Sequence, residues 1–157
     1  MRDKSLSGII VFKKTAPAIW RIVFLNELGM KFFDFQLTKN EFKVVECYEY
    51  LNKKKILAVL EQDFRLLLDS SADLQLVKNS KLKSDTIIIK EQLPQSGRNK
   101  YYYLSENTYL PKKTELVGFW RQKTTILYKT YTKNRPDSFA IYHNDLKLEL
   151  HFKILNY

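Results

Sequence analysis

Cysteine is almost missing from this sequence, with one residue, Cys47, in 157. A single thiol excludes an internal disulfide framework, and the setting Val44-Val45-Glu46-Cys47-Tyr48 makes it a small buried hydrophobe rather than a nucleophile. Glycine and proline are scarce too, four of each, which rules out a collagenous or low-complexity chain. Histidine occurs only as His143 and His151. Neither stands in a nucleophile or metal-ligand arrangement. His143 belongs to a turn and His151 to the polar face of the last strand, so both are expected on the surface. No Gly-rich loop opens a helix, which removes the usual nucleotide-phosphate cradle. Glu61 and Asp63, two apart on a helix, point away from each other. No apolar run approaches the roughly 20 residues that span a bilayer as a helix, and Met1-Arg2-Asp3-Lys4-Ser5 lacks the apolar stretch of a signal peptide. With so thin a catalytic inventory, the expectation is a protein that is not an enzyme and uses no cofactor and no metal.

What is present is enough for a core. The chain is 45% hydrophobic and 28% charged, the balance of a packed globular domain, and its length suits one domain over residues 1–157. Ten Tyr, ten Phe and two Trp favour strands, because flat side chains fit a pleated, half-buried surface. The net charge is +10, from 27 basic and 17 acidic residues. It is no tail: residues 1–50 hold 8 basic and 6 acidic groups, 51–100 hold 10 and 6, and 101–157 hold 9 and 5. Such a field points to an anionic partner, nucleic acid or a phospholipid surface.

The first fifty residues read as four strands with short turns, an antiparallel meander. Ser7 to Lys14 ends at Thr15-Ala16-Pro17, since Pro removes a ladder donor. Ile19 to Leu25 is a nearly continuous apolar run, expected to be buried on both faces. Asn26-Glu27-Leu28-Gly29 is a turn signal. Phe33, Phe35 and Leu37 then alternate with Asp34, Gln36 and Thr38, and Phe42 and Val44 continue the pattern. The period next changes from two to 3.6. Over Asn52 to Ser70, Ile56, Leu57, Val59, Leu60, Phe64, Leu67 and Leu68 share one helical stripe, opposite Glu61, Gln62 and Arg65, with Asn52 as the expected N-cap. Lys53, Lys54 and Lys55 would oppose the helix dipole in its first turn.

The second half reads as all β. Strands are expected at Leu74–Val77, Thr86–Lys90, Tyr101–Leu104, Leu116–Phe119, Arg121–Thr132, Phe139–Tyr142 and Leu146–Leu155. Leu93 to Asn99 is a loop, and Asn134-Arg135-Pro136-Asp137 and His143-Asn144-Asp145 are hairpin turns. In the last strand Leu146, Leu148, Leu150, Phe152 and Ile154 lie on one face, with Lys147, Glu149, His151 and Lys153 on the other. The fold class is thus mainly β (α+β): nine or ten strands in one antiparallel sheet, curling as its twist accumulates, with the helix packed as a lid across the concave face.

Two function classes suit these features. Arg98-Asn99-Lys100-Tyr101-Tyr102-Tyr103 mixes cations with stackable rings, as single-strand nucleic-acid binders do. In a strand, though, Tyr102 faces away from Tyr101 and Tyr103, so at most one or two rings share a surface with the basic residues. The other class uses the apolar cup. Leu25-Asn26-Glu27-Leu28-Gly29-Met30-Lys31-Phe32-Phe33-Asp34-Phe35-Gln36-Leu37 resembles the strand, Asn-x-Leu-Gly turn and alternating strand of the LolB-like outer-membrane lipoprotein receptors, which belong with the LolA-type periplasmic carriers. The likeness covers Ser7 to Leu68.

The resemblance implies an unclosed antiparallel half-barrel with helices over its concave side, holding lipoprotein acyl chains in an apolar cavity. It implies a non-enzymatic carrier or receptor, with lipoprotein acyl chains or other lipids, an anionic membrane surface and a periplasmic carrier as partners. Matched residues put Ile22, Phe24, Phe33 and Phe35 in the cavity lining. Periodicity adds Phe42, Val44, Leu57, Leu60, Phe64, Leu146, Leu148, Leu150 and Phe152. Each would equally serve as plain core. Leu28 matches the apolar residue that protrudes from the receptors' turn and meets the membrane. The chain departs from the family at its start, with no signal peptide, no lipid-bearing cysteine and no helix before the first strand. The resemblance therefore implies a leader and anchor upstream of Met1 and a place on the periplasmic face of the outer membrane. A natural start at Met1 would instead imply a cytoplasmic protein of the same fold.

Overall fold

A computed structural model describes residues 6–68, 75–77, 85–93, 98–118, 123–144 and 148–155. The chain forms two compact units, Met1–Asp69 and Ser70–Tyr157.

The first unit is the expected meander followed by the helix. Strands β1 (Ile9–Ala16), β2 (Ile19–Leu25), β3 (Lys31–Leu37) and β4 (Phe42–Cys47) pair in sequence order, and α1 (Lys54–Leu68) follows. Each turn has a local cause. Pro17 and Ala18, the latter at φ 60°, link β1 to β2. Gly29 at φ 80° closes the β2–β3 turn in the left-handed region where a Cβ is costly. Gly8 has a different reason. A Cβ there would lie 2.0 Å from the Leu25 carbonyl oxygen, so only glycine lets the chain enter β1 beside the end of β2.

Direct cross-strand partners share a face. Phe12, Ile22, Phe35 and Val44 stand in one row, Phe24 faces Phe33, and Leu37 faces Phe42. These apolar residues make one face of the sheet, and Phe64 of α1 packs on it, with ring centroids 5.7 Å from Phe12 and 5.9 Å from Phe33. The opposite face carries Lys13, Arg21, Asp34 and Glu46. Strand β2 is therefore not buried on both faces: only Ile22 is fully buried along it, because Arg21 turns outward to pair with Asp34. The α1 cap also differs from expectation. The Leu57 amide donates to the Lys53 carbonyl, so Lys53, not Asn52, holds the N-cap place. Burial reaches past the apolar stripe to Asp63 and Leu66.

The second unit is a seven-stranded antiparallel sheet in the order β11-β10-β9-β8-β7-β6-β5. Its strands are β5 (Gln75–Val77), β6 (Thr86–Leu93), β7 (Arg98–Ser105), β8 (Pro111–Val117), β9 (Lys123–Thr132), β10 (Arg135–His143) and β11 (Glu149–Lys153). The strands thus form two sheets of four and seven rather than the one expected, with α1 between β4 and β5 in the sequence. Among the described residues both are open in strand order, with no closed barrel.

Several boundaries move. The expected 93–99 loop shortens, since Leu93 pairs with Arg98. Strand β8 begins at Pro111, a first-residue position where the absent N–H does no harm. The expected turn at Asn134–Asp137 sits earlier. Lys133 and Asn134, at φ 50° and 63°, form a two-residue hairpin loop of the type I′ kind, whose twist matches its strands. Arg135 then already pairs with Thr132, and Pro136 lies ahead of the first β11 partner, Ser138. Leu148 precedes β11 instead of lying in it.

Candidate functional site

The residues expected to line one cavity fall in both units. In the first, Ile22, Phe24, Phe33, Phe35, Phe42 and Val44 share the face that α1 covers. Their packing is that of a core. Phe33 and Phe35 stack with centroids 4.3 Å apart, Phe35 and Phe42 meet at 4.9 Å, and Phe35 and Phe64 at 6.3 Å. Ile22, Phe35 and Phe64 are fully buried, Leu60 nearly so, and Leu57 is half-buried. In the second unit Leu150 lies opposite the buried Ile141, and the Phe152 ring stacks on Phe139 at 4.6 Å. The Leu148 carbonyl accepts a 2.9 Å hydrogen bond from His143 Nδ1. Leu146 lies outside the described residues.

The β2–β3 turn has the most distinctive geometry. The Asn26 side-chain Oδ1 accepts from the backbone amides of Leu28 at 2.9 Å and Met30 at 2.8 Å. The Asn26 amide donates to the Met30 carbonyl at 2.9 Å, and the Gly29 amide to the Asn26 carbonyl at 3.0 Å. Four hydrogen bonds centred on one asparagine fix the loop. Its apolar side chains nevertheless point into solvent, Leu28 at 84% exposure and Met30 at 61%. Leu28 is the residue to which the family resemblance points. Met30 was missed, although its place just after the turn glycine signals it.

The two faces of the Arg98–Tyr103 stretch separate as alternation requires. Lys100 and Tyr102 lie on one, with Lys100 Nζ 4.8 Å from the Tyr102 ring centroid. Lys100 is only 3% exposed. It stands opposite the equally buried Glu91, whose carboxylate accepts from the Tyr102 hydroxyl at 2.8 Å. Tyr101 and Tyr103 lie on the other face. The Tyr103 hydroxyl donates to Glu115 at 2.9 Å, and Lys113 and Lys123 close on the same carboxylate at 2.9 and 2.7 Å. Burial alone would raise the Glu115 carboxyl, but Lys123, Lys113 and Tyr103 outweigh it and hold it below the ordinary carboxylate range. Burial and then that carboxylate push the Tyr103 phenol up to about 12. Lys100, Tyr102 and Tyr103 are thus engaged within the sheet.

The remaining residues of the sequence inventory fall as follows. Burial raises the Cys47 thiol, which stays protonated and donates weakly to the Tyr48 carbonyl. His151 is exposed and 3.3 Å from Glu149, while His143 is half-buried. Glu61 binds Arg65, whose guanidinium also reaches the Thr38 and Lys39 carbonyls. Asp63 is buried on α1. Among the described residues no His, Cys, Asp and Glu side chains gather as a metal site, and no helix is long and apolar enough to cross a membrane.

Fold and site together define a class: a mainly β protein of two open antiparallel sheets with one described helix and a rigid, apolar-tipped turn. No protein-family model, curated protein or solved structure matches the chain.

Proposed function

We propose that this protein is a non-enzymatic carrier or receptor for acylated ligands, of the kind that localises lipoproteins to an outer membrane. The observation that carries the reading is the Asn26-braced turn. A folded domain gains nothing from holding Leu28 and Met30 in water, yet four hydrogen bonds keep them there. Burial in an apolar phase would return about 1.5–3 kcal/mol for each side chain, so the tip is built to enter something outside the domain, and a bilayer interface fits. The resemblance of Leu25 to Leu37 to the LolB-like turn supports the same role for Leu28.

On this reading α1 acts as a lid over the four-stranded sheet, and acyl chains replace the contacts of Phe64 with Phe12, Phe33 and Phe35. Transfer would run by partition, because each buried acyl CH₂ contributes about 0.8 kcal/mol. The closed packing of Phe64 means that α1 must move before a chain can enter. The buried Lys100 and the divided tyrosines favour this reading over nucleic-acid binding through Arg98–Tyr103.

The test uses a fluorescent acylated peptide, read by displacement and native mass spectrometry, with delivery to phospholipid vesicles measured separately. The full chain should bind the peptide, and Leu28→Glu should keep binding and thermal stability while losing most of the delivery. A chain that binds no acylated peptide ends the carrier reading. Undiminished delivery by the Leu28→Glu variant ends the role of the turn.

A further inference from the structure

The register of the last three strands places Ser138 of β10 directly opposite Lys129 of β9 and directly opposite Lys153 of β11. The three side chains stand in one row, on the face opposite the buried Ile126 and Ile141. Neighbouring strands lie about 4.8 Å apart, so the lysines are rooted about 10 Å from each other with the hydroxyl midway. Their four-carbon stems can bring both ammonium groups over it. One row along, Ala140 faces His151, and a hollow of about 270 Å³ lies here, bordered by Lys129, Ser138, His151 and Lys153 together with Phe139 and Phe152. Both lysines are exposed. Lys113 and Lys123 close on Glu115, but neither Lys129 nor Lys153 has a carboxylate partner among the described residues. The surrounding field has the same sign, since residues 70–157 hold 15 basic and 8 acidic groups.

We propose that this hollow is a binding site for a phosphate group. Two lysines with no carboxylate partner among the described residues, a hydroxyl and an imidazole border one hollow rather than tracking along a groove, which suits a compact multiply charged anion that accepts several charge-assisted hydrogen bonds. The lysines supply charge, Ser138 donates a hydrogen bond from the floor, and His151 Nε2 sits at the rim beside Glu149. The phosphate can belong to a lipid headgroup or to a soluble phosphate. The site involves neither the β2–β3 turn nor α1 and stands independently of the carrier reading.

The test titrates the full chain with inorganic phosphate at constant ionic strength and follows backbone amide resonances. Saturable shifts are expected at 129, 138, 151 and 153. A Lys129→Gln/Lys153→Gln variant should weaken binding by about tenfold or more, the scale of two lysine contacts. A Lys13→Gln/Lys43→Gln variant, equal in charge change but placed in the first unit, should bind as the parent does. Ser138→Ala, which alters no charge, should weaken binding less than the double lysine change. Flotation with phosphatidylcholine vesicles, with and without phosphatidic acid, separates the sources. If the Lys129→Gln/Lys153→Gln variant loses both inorganic phosphate and phosphatidic acid binding, the site takes a lipid headgroup; loss of inorganic phosphate alone makes the ligand soluble. Shifts that do not saturate, or equal weakening by the two double variants, would overturn the proposal.

Discussion

The Asp34 carboxylate accepts from the Arg21 guanidinium across β2–β3, with Arg21 Nη2 at 3.0 Å, and from Lys31 Nζ at 3.4 Å. Lys31 also reaches Glu46 at 2.6 Å. The hydrogen bond from Arg21 prevails over burial and, with Lys31, holds the Asp34 carboxyl below its ordinary range. A depressed carboxyl gives stability that is present above its unfolded value, about 3.9, and is lost as pH falls through the lower folded value. The urea midpoint of the parent should therefore drop on acidification below about pH 4. Asp34→Asn should start lower at pH 7 and show a shallower acid decline; parallel curves would mean that the pair contributes nothing. Alternation alone predicted a solvated Asp34. Its burial follows from the partner Arg21 on the neighbouring strand, a cross-strand relation that no local pattern carries.

At the scale of elements, α1 is the piece whose place depends most on packing. Its first turn gathers Lys54 and Lys55 after Lys53 with no acidic residue, which the helix dipole disfavours, and a 15-residue helix is marginal alone in water. Phe64 anchors it against Phe12, Phe33 and Phe35. Phe64→Ala should cost about 3–5 kcal/mol, read from urea unfolding. A cost under about 1 kcal/mol would show that the site collapses or is loosely held, contrary to the packing seen. The strands of the first unit and the helical stripe were legible because periods of two and 3.6 differ sharply. The boundaries of β6, β7, β8 and β10 were not. Arg98, Lys112, Lys113 and Arg135 are polar residues drawn into strands by pairing with neighbours, and the sequence carries no mark of a partner's length.

For the whole molecule, charge is unevenly divided: residues 1–69 carry 12 basic and 9 acidic groups, whereas residues 70–157 carry 15 and 8. An anionic surface should be met mainly through the second unit and through long-range attraction. Between 0.1 M and 1 M salt the Debye length falls from about 10 Å to about 3 Å. The full chain should thus float with vesicles containing phosphatidylglycerol at low salt and largely dissociate at 1 M. Salt-insensitive flotation would show that the apolar tip, not the field, provides the binding.

The sequence by itself determined the mainly β class, the meander, the helix and the faces of Phe33, Phe35, Phe42 and Val44, because each follows from side-chain period within a few residues. Only the tertiary structure decided that the strands divide four and seven, that rings from β3 and α1 meet as a packed core, that Lys100 and Glu91 are buried together, and that Lys129, Ser138 and Lys153 share a row. Those features depend on which strand lies beside which and in what register. Pairing of that kind joins residues far apart in the chain, and a linear pattern records each side chain without its partner.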